Sequence, residues 1–244
     1  MKTVCITGSS RGIGFGIARA FAARGYNIVL NGRTDGVNLL AAEIGLQAEF
    51  PKIQVLKVLA DMSDYNEAAR LFAKAEESFG TVDILVNNAG AEHFGLFTDM
   101  TTAEITGTLA NNLNTAINAS HIAAKGMIKQ KHGSIINISS IWGIAGASCE
   151  VVYSTAKAGL NGFTKALAKE LAPSGIRVNG IACGAFDTRM NERLTADEKA
   201  EFTDNIPLGR FGNPSEVGDL AVFLASDKAA YITGQIIGMD GGFL

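Results

Sequence analysis

The chain has few of the residues that would tie it to a metal, a membrane or nucleic acid. Among 244 residues there are three histidines, three cysteines, one tryptophan and four prolines. Cys5, Cys149 and Cys183 have no CxxC spacing and form no even set, and His93, His121 and His132 are scattered. No zinc-site pattern arises, and no metal is expected. Free thiols in a reducing cytosol are the simplest reading of three unpaired cysteines. The net charge of −3 leaves no basic excess for nucleic acid or an anionic bilayer. Nowhere do 18 apolar residues run uninterrupted, so no transmembrane span is expected. Met1–Gly8 reads as a short apolar strand and a glycine turn, not as a signal peptide. A cytoplasmic protein without membrane or nucleic-acid partners is the expectation.

What is plentiful is glycine, 28 residues, on a background that is 47% hydrophobic. That composition suits a compact fold with many tight turns, and a chain of this length buries most of its apolar surface without disulfides. Short apolar runs at Thr3–Thr7, Asn27–Asn31, Ile53–Leu59, Ile84–Asn87, Ser134–Ile138, Ile176–Ile181 and Gln235–Met239 read as strands covered on both faces. Helical patterns lie between them, at Ile13–Arg24, Val37–Phe50, Tyr65–Phe79, Thr102–Lys131, Val151–Leu171 and Ser215–Ser226. The alternation predicts an α/β, doubly wound Rossmann fold, with a mostly parallel seven-stranded sheet and helices on both faces. No linker or repeat interrupts it, so residues 1–244 read as one domain. Its least regular stretch, about 187–211, is expected to be a substrate loop, with a plain surface excursion as the alternative.

The first strand runs into Thr7-Gly8-Ser9-Ser10-Arg11-Gly12-Ile13-Gly14. Glycines at 8, 12 and 14 permit a tight turn and close backbone approach. A helix starting near Ile13 points its free N–H groups at that turn, which suits a pyrophosphate. The spacing differs from the usual G-x-G-x-x-G, and alone it fits a structural turn equally well.

Together with later segments the turn becomes specific. It resembles the TGxxxGxG turn of the short-chain dehydrogenase/reductase family. Asn87-Asn88-Ala89-Gly90 resembles that family's NNAG motif, and Tyr153 to Lys157 its YxxxK motif. Ser140 lies 13 residues before the tyrosine, where the family has its catalytic serine, and Asn112 matches its catalytic asparagine. The resemblance runs to Asp240-Gly241-Gly242, nearly the whole chain. It implies a cofactor-binding half, 1–90, and a catalytic half, 91–244. It also implies a homodimer or homotetramer built on the long helices.

The cofactor implied is a nicotinamide dinucleotide held by Gly8, Ser10, Arg11, Gly12, Ile13 and Gly14. Asp61 and Met62 would frame the adenine, and Asn88, Ala89 and Gly90 would line the adenosine-ribose side. Gly32 occupies the place where NAD-binding relatives carry an acid, and Arg33 follows it. An arginine there accommodates a 2′-phosphate, so NADP(H) is expected over NAD(H). A solvated loop charge is the alternative reading of Arg33. After the sixth strand the family has Pro-Gly where this chain has Cys183-Gly184. That loop is expected to meet the nicotinamide through Phe186 and Thr188, with a reactive thiol nearby.

The chemistry follows from residue types and spacing. Hydride addition to a ketone puts negative charge on oxygen, which needs a hydrogen-bond donor and a proton. Tyr153 and Lys157 are i and i+4 and share a helix face. A nearby ammonium is expected to lower the phenol's pKa from its ordinary value of about 10. Ser140 is expected to donate to the substrate oxygen. By resemblance, Lys157 holds the nicotinamide ribose and Asn112 supports a proton relay to Lys157.

Within the family the chain is similar to the 3-oxoacyl-[acyl-carrier-protein] reductases through Ile206–Gly212, Phe223–Asp227 and Tyr231–Gly234. The segment Ser139–Gly143 with Gly146–Val151 is similar to reductases of 5-aminopentanone-modified elongation factor P. The ketone or alcohol substrate is therefore expected to be a thioester on a carrier protein, or else a group borne on a protein lysine. Trp142 and Glu150 are expected to edge the substrate pocket, with a favourable helix-dipole role as the alternative for Glu150. A non-catalytic sensor of NADP(H) is the alternative of another class. It would be expected to have lost one of the four catalytic residues, and all four are present.

Overall fold

In the computed structural model of the chain, which describes residues 1–34, 36–188 and 195–244, seven strands form one sheet. They are β1 (Thr3–Ile6), β2 (Asn27–Gly32), β3 (Val55–Leu59), β4 (Ile84–Asn87), β5 (Gly133–Ser140), β6 (Ile176–Cys183) and β7 (Ile236–Met239). Their spatial order is β3-β2-β1-β4-β5-β6-β7, and every pairing is parallel. The sequence expected a mostly parallel sheet; it is parallel throughout.

The central strands are buried because helices cover both faces. Side chains alternate across a strand, so Val4 and Ile6 of β1 enter one core and Cys5 the other. The first core receives Ile17 and Phe21 of α1 (Gly12–Ala22), Leu39 and Leu46 of α2 (Gly36–Glu49), and Val217 and Leu224 of α9 (Pro214–Ala225). The second receives Leu71 and Phe72 of α3 (Tyr65–Phe79), Ala123 and Met127 of α5 (Thr115–Gln130), and Leu171 of α7 (Val151–Leu171). Helices α1 and α9 touch through glycine: a Cβ on Gly218 would stand 2.8 Å from the Gly16 carbonyl oxygen. The strand order reverses between β1 and β4, which opens a crevice at the carboxyl ends of the strands, the place where ligands bind in such sheets.

Three elements differ from expectation. The helix read as Thr102–Lys131 is broken into α4 (Thr102–Leu109), a π-turn over Ala110–Asn114, and α5. A short helix, α6 (Trp142–Ala145), stands between β5 and α7, where no element was expected. The stretch 187–211 lies partly outside the described residues; within it α8 (Ala196–Asp204) begins at Thr195, which forms a capping box with Glu198. Among the described residues no helix is long and apolar enough to cross a membrane.

Candidate active site

The phosphate turn is built by side chains from three strands. Thr7 Oγ1 accepts the backbone N–H groups of Asn88 (3.0 Å) and Ala89 (2.9 Å). Asn88 Nδ2 donates to the carbonyls of Thr7 (3.0 Å) and Gly8 (2.8 Å), so β1 and β4 are stitched together at the crevice. Asn31 Oδ1, from β2, receives the Gly8 N–H at 3.1 Å. Gly8 has φ of 61°, and a Cβ there would press on Ala89 Cα at 2.8 Å, so only glycine closes this turn. A Cβ on Gly14 would strike the Gly8 carbonyl.

These residues fit a pyrophosphate. The side chain of Arg11, the residue before α1, makes no capping hydrogen bond, which leaves the first-turn N–H groups of Gly12, Ile13 and Gly14 to a ligand. Ser10 lies half-buried beside them. Thr188 stands across the turn, its Cγ2 3.6 Å from the point a Cβ on Gly12 would occupy. The Phe186 ring is buried in the first core, against Gly212.

At the far edge Arg33 is exposed and donates from Nη1 to Asn111 Oδ1 at 3.0 Å, 4.0 Å from Asp61 Oδ2. Asp61 in turn accepts from the Ser63 N–H (2.9 Å) and hydroxyl (2.7 Å). The Met62 side chain is buried and its carbonyl accepts from Asn118 Nδ2 at 3.1 Å. Gly32 ends β2 beside this rim without any side chain to compete.

The four expected catalytic residues converge where β5, the π-turn and α7 meet. Ser140 is the last residue of β5, in register with Cys183 of β6. Its Oγ accepts the Trp142 N–H at 3.2 Å, and its hydroxyl acts on the Tyr153 phenol, favouring the ionised form. Lys157 is 4% exposed, and its Nζ donates to the Ile138 carbonyl at 3.0 Å while lying 5.6 Å from the Tyr153 ring centre. Asn112, 1% exposed, is clasped on three sides. Its Nδ2 donates to the carbonyls of Ala91 (2.7 Å) and Thr108 (2.9 Å), and its Oδ1 accepts the Ala91 N–H at 3.2 Å. The space over Gly90 joins them: a Cβ there would stand 2.7 Å from Asn112 Oδ1 and 3.5 Å from Lys157 Nζ.

Electrostatics correct one expectation. Tyr153 is held above the ordinary phenol value, not below it. Burial is the main cause, the Ser140 hydrogen bond opposes it, and Glu150, Cys183 and Glu92 add to the rise. The Lys157 ammonium, turned to the Ile138 carbonyl, does not offset that desolvation. Burial also lowers Lys157 itself to about 8, with Cys183 opposing. The Cys183 thiol is pushed up to about 12 by its own burial. A protonated thiol is a poor nucleophile, so the reactive cysteine expected here is an inert one.

Sequence reasoning missed the supports. Asn87 Nδ2 donates to Asn137 Oδ1 (2.8 Å), and Asn137 Nδ2 donates to Thr164 Oγ1 (2.7 Å), a buried polar chain from β4 through β5 to α7. Asn161 Nδ2 donates to the Gly143 carbonyl at 3.0 Å, and a Cβ on Gly143 would fall 2.9 Å from Lys157 Cβ. These contacts fix α7, and with it Tyr153 and Lys157, against the strand that carries Ser140. Asparagines inside strand runs were the available signal.

With this geometry in place, the similarities to known proteins are consistent. A family model described as Enoyl-(Acyl carrier protein) reductase matches residues 8–244. An uncharacterized oxidoreductase of Bacillus subtilis (strain 168), YmfI, is 42% identical over 99% of this chain and 98% of that protein. The 3-oxoacyl-[acyl-carrier-protein] reductase FabG of Chlamydia muridarum is 39% identical over 99% of this chain and 96% of its own length. Among solved structures, YwfH, an NADPH-dependent reductase involved in bacilysin biosynthesis, superposes with a TM-score of 0.94 at 30% identity, covering 100% of this chain and 98% of that one.

Proposed function

This chain belongs to the short-chain dehydrogenase/reductase family and is an oxidoreductase acting on CH–OH and C=O groups; from that premise we propose that it reduces the ketone of a 3-oxoacyl thioester at the expense of NADPH. The observation that carries this reading is the hydroxyl pair of Ser140 and Tyr153, set at the carboxyl end of β5 beside the strand-order reversal, with the phenol kept protonated.

When bound, the nicotinamide supplies a hydride to the carbonyl carbon. Gly8, Gly12, Ile13 and Gly14 hold the pyrophosphate by backbone and helix N-terminus, and Thr188 with the Phe186 main chain meets the nicotinamide. Ser140 Oγ–H and Tyr153 Oη–H donate to the substrate oxygen. Ser140 Oγ accepts the Trp142 N–H, which holds the oxygen in place and leaves its hydroxyl proton to donate. As charge develops on the oxygen, Tyr153 passes over its proton. Lys157 stabilises the resulting tyrosinate, and Asn112 walls the space over Gly90 through which protons return. NADP(H) is preferred over NAD(H) because Arg33, supported by Arg11, faces a rim where Gly32 puts no carboxylate.

The test is NADPH consumption with an acetoacetyl thioester. Wild type turns over, and Tyr153→Phe loses roughly 10²–10⁴-fold, the usual worth of a positioned proton donor, while still binding NADPH. An active Tyr153→Phe enzyme would end the mechanism.

A second reading has one observation in its favour. Glu92 and Glu150 both act on Tyr153 electrostatically, so two carboxylates bear on the place where substrate meets the phenol. That charge suits an amine-bearing ketone, such as 5-aminopentanone on a lysine of elongation factor P, better than a free 3-oxoacid.

A further inference from the structure

The C-terminal residues end beside the active site. Gly241 and Gly242 have φ of 71° and 88°, so the chain turns sharply after β7. The Asp240 carboxylate pins the turn, accepting the N–H groups of Gly242 (3.0 Å) and Leu244 (3.1 Å). The Leu208 N–H donates to the Gly241 carbonyl at 3.1 Å, tying this tail to the segment that follows α8. A Cβ on Gly184 would lie 2.8 Å from Asp240 Cα, so the root of the tail rests on the residue after β6.

This anchoring delivers one ring. Phe243 meets Trp142 edge to face, with centres 5.7 Å apart and planes at 79°. On its other side it stacks on Phe202 of α8, at 5.5 Å and 8°. Phe202 then meets Phe211 edge to face at 5.8 Å. All four rings are only half-buried, so the row is a wall with one open side and not part of either core. The backbone of Trp142 is bonded to Ser140 Oγ, so the wall starts next to a catalytic hydroxyl.

We propose that Phe243 is a positioning residue for the substrate: by clamping Trp142 to α8 it builds the aromatic wall of the ketone site beside Ser140. It touches none of the reacting groups and acts through Trp142. A side chain attached to the ketone packs along this wall, so losing Phe243 weakens substrate capture and leaves the proton donors in place.

The inference rests on the ketone-reductase reading for the wall's role in substrate capture, while the clamp on Trp142 is read without substrate. Trp142 is the single tryptophan of the chain, so its emission reports the wall directly. In Phe243→Ala, without substrate, Trp142 emission is expected to shift to the red as its ring gains water. KM for an acetoacetyl thioester should rise roughly tenfold, the scale of two lost ring contacts, with kcat and NADPH affinity unchanged, the pattern of lost uniform binding. Phe243→Tyr should restore both readouts, and Leu244→Ala, next door and exposed, should change neither. An active wild type whose Phe243→Ala variant keeps its KM, or loses kcat instead, overturns the positioning role. An unshifted Trp142 spectrum overturns the clamp. A wild type that reduces no ketone overturns the reductase reading and this one with it.

Discussion

Lys157 directs its ammonium at the Ile138 carbonyl, 3.0 Å away, and not at the phenol of Tyr153, whose ring centre is 5.6 Å from it on the preceding turn of α7. On the proposed mechanism the two groups have separate tasks before reaction: burial keeps the phenol protonated, and Lys157 has a weakened hold on its own proton. The proposed reduction gains from this arrangement, because the form of Tyr153 that dominates at neutral pH is the one the mechanism uses as donor.

The pH profile should show it. Lys157 sits near 8 and Tyr153 above its ordinary range. As pH rises, the first charge lost is the ammonium that stabilises the nascent tyrosinate. Reduction should therefore fall with an apparent midpoint near 8, well below the ordinary phenol value. Lys157→Arg, which stays charged, should lose activity overall and lose that midpoint as well. Reduction that holds steady up to pH 10 in wild type would contradict the assignment.

Stability should carry the same signature. Lys157 binds its proton less tightly folded, at about 8, than an ordinary lysine does, at 10.5. Between those values the unfolded chain holds more protons, so stability rises with pH; below about 8 the whole penalty is present, on the order of 3 kcal/mol. Lys157→Met removes that penalty but orphans the Ile138 carbonyl, a cost of about 1–3 kcal/mol. Urea melts at pH 7 should find the variant inactive yet no less stable than wild type. A loss above about 2 kcal/mol would show the buried ammonium to be a net support.

That trade was not legible beforehand, and the reason is physical. All seven strands and the phosphate turn could be read because apolar runs and glycine spacing are local signals. Tyr153 and Lys157 could be placed on one face because helix geometry is local too. Where the Lys157 ammonium points depends on Ile138, 19 residues away in sequence and on another element. Asn112 was identified, but the π-turn that presents it was not, since Ala110–Asn114 has the pattern of an ordinary helix. Such single-turn bulges cost a regular hydrogen bond and gather at functional sites. Helix α6, with four residues, is too short to show a period. Phe243 carried no signal at all, because its partners Trp142 and Phe202 are brought to it only by the fold.

Cofactor preference should rest on Arg33. Its guanidinium is exposed and, among the described residues, is bonded to Asn111 and paired with Asp61 at 4.0 Å. A 2′-phosphate offers a charge-assisted hydrogen bond on the order of 1.5–3 kcal/mol. Arg33→Asp should therefore weaken NADPH by roughly ten- to a hundredfold while NADH changes little. Equal kcat/KM for both cofactors in wild type would mean the arginine is a solvated charge.

Assembly is proposed as a homodimer or homotetramer through the helices around α5 and α7. Ile117 of α5 and Val151 of α7 are 37% and 43% exposed, large apolar side chains that a partner copy would cover. Light scattering at micromolar concentration should give at least a dimer mass. A monomer there counts against the proposal.

The sharpest question about substrate is the charge it carries, and the two carboxylates near Tyr153 answer to a direct test. Glu150 immediately precedes α7, where its charge can serve the helix dipole, the substrate, or both. Both it and Glu92 raise Tyr153, which requires their charge to reach the phenol. A substrate ammonium in the same space is attracted, and a carboxylate or an acidic carrier protein repelled. At solvent-screened separations each such term is on the order of 1 kcal/mol, or about fivefold. The paired assay follows NADPH oxidation with an acetoacetyl thioester and with 5-aminopentanone-modified elongation factor P. Glu150→Gln together with Glu92→Gln should lower kcat/KM for the amine-bearing ketone by roughly ten- to thirtyfold, the product of two such terms, and leave the thioester unchanged or slightly improved. Rising salt should erode the difference in wild type, because screening acts on the same attraction. If both substrates suffer alike, the carboxylates serve the helix and not the ligand, and the 3-oxoacyl thioester remains the substrate that the site favours.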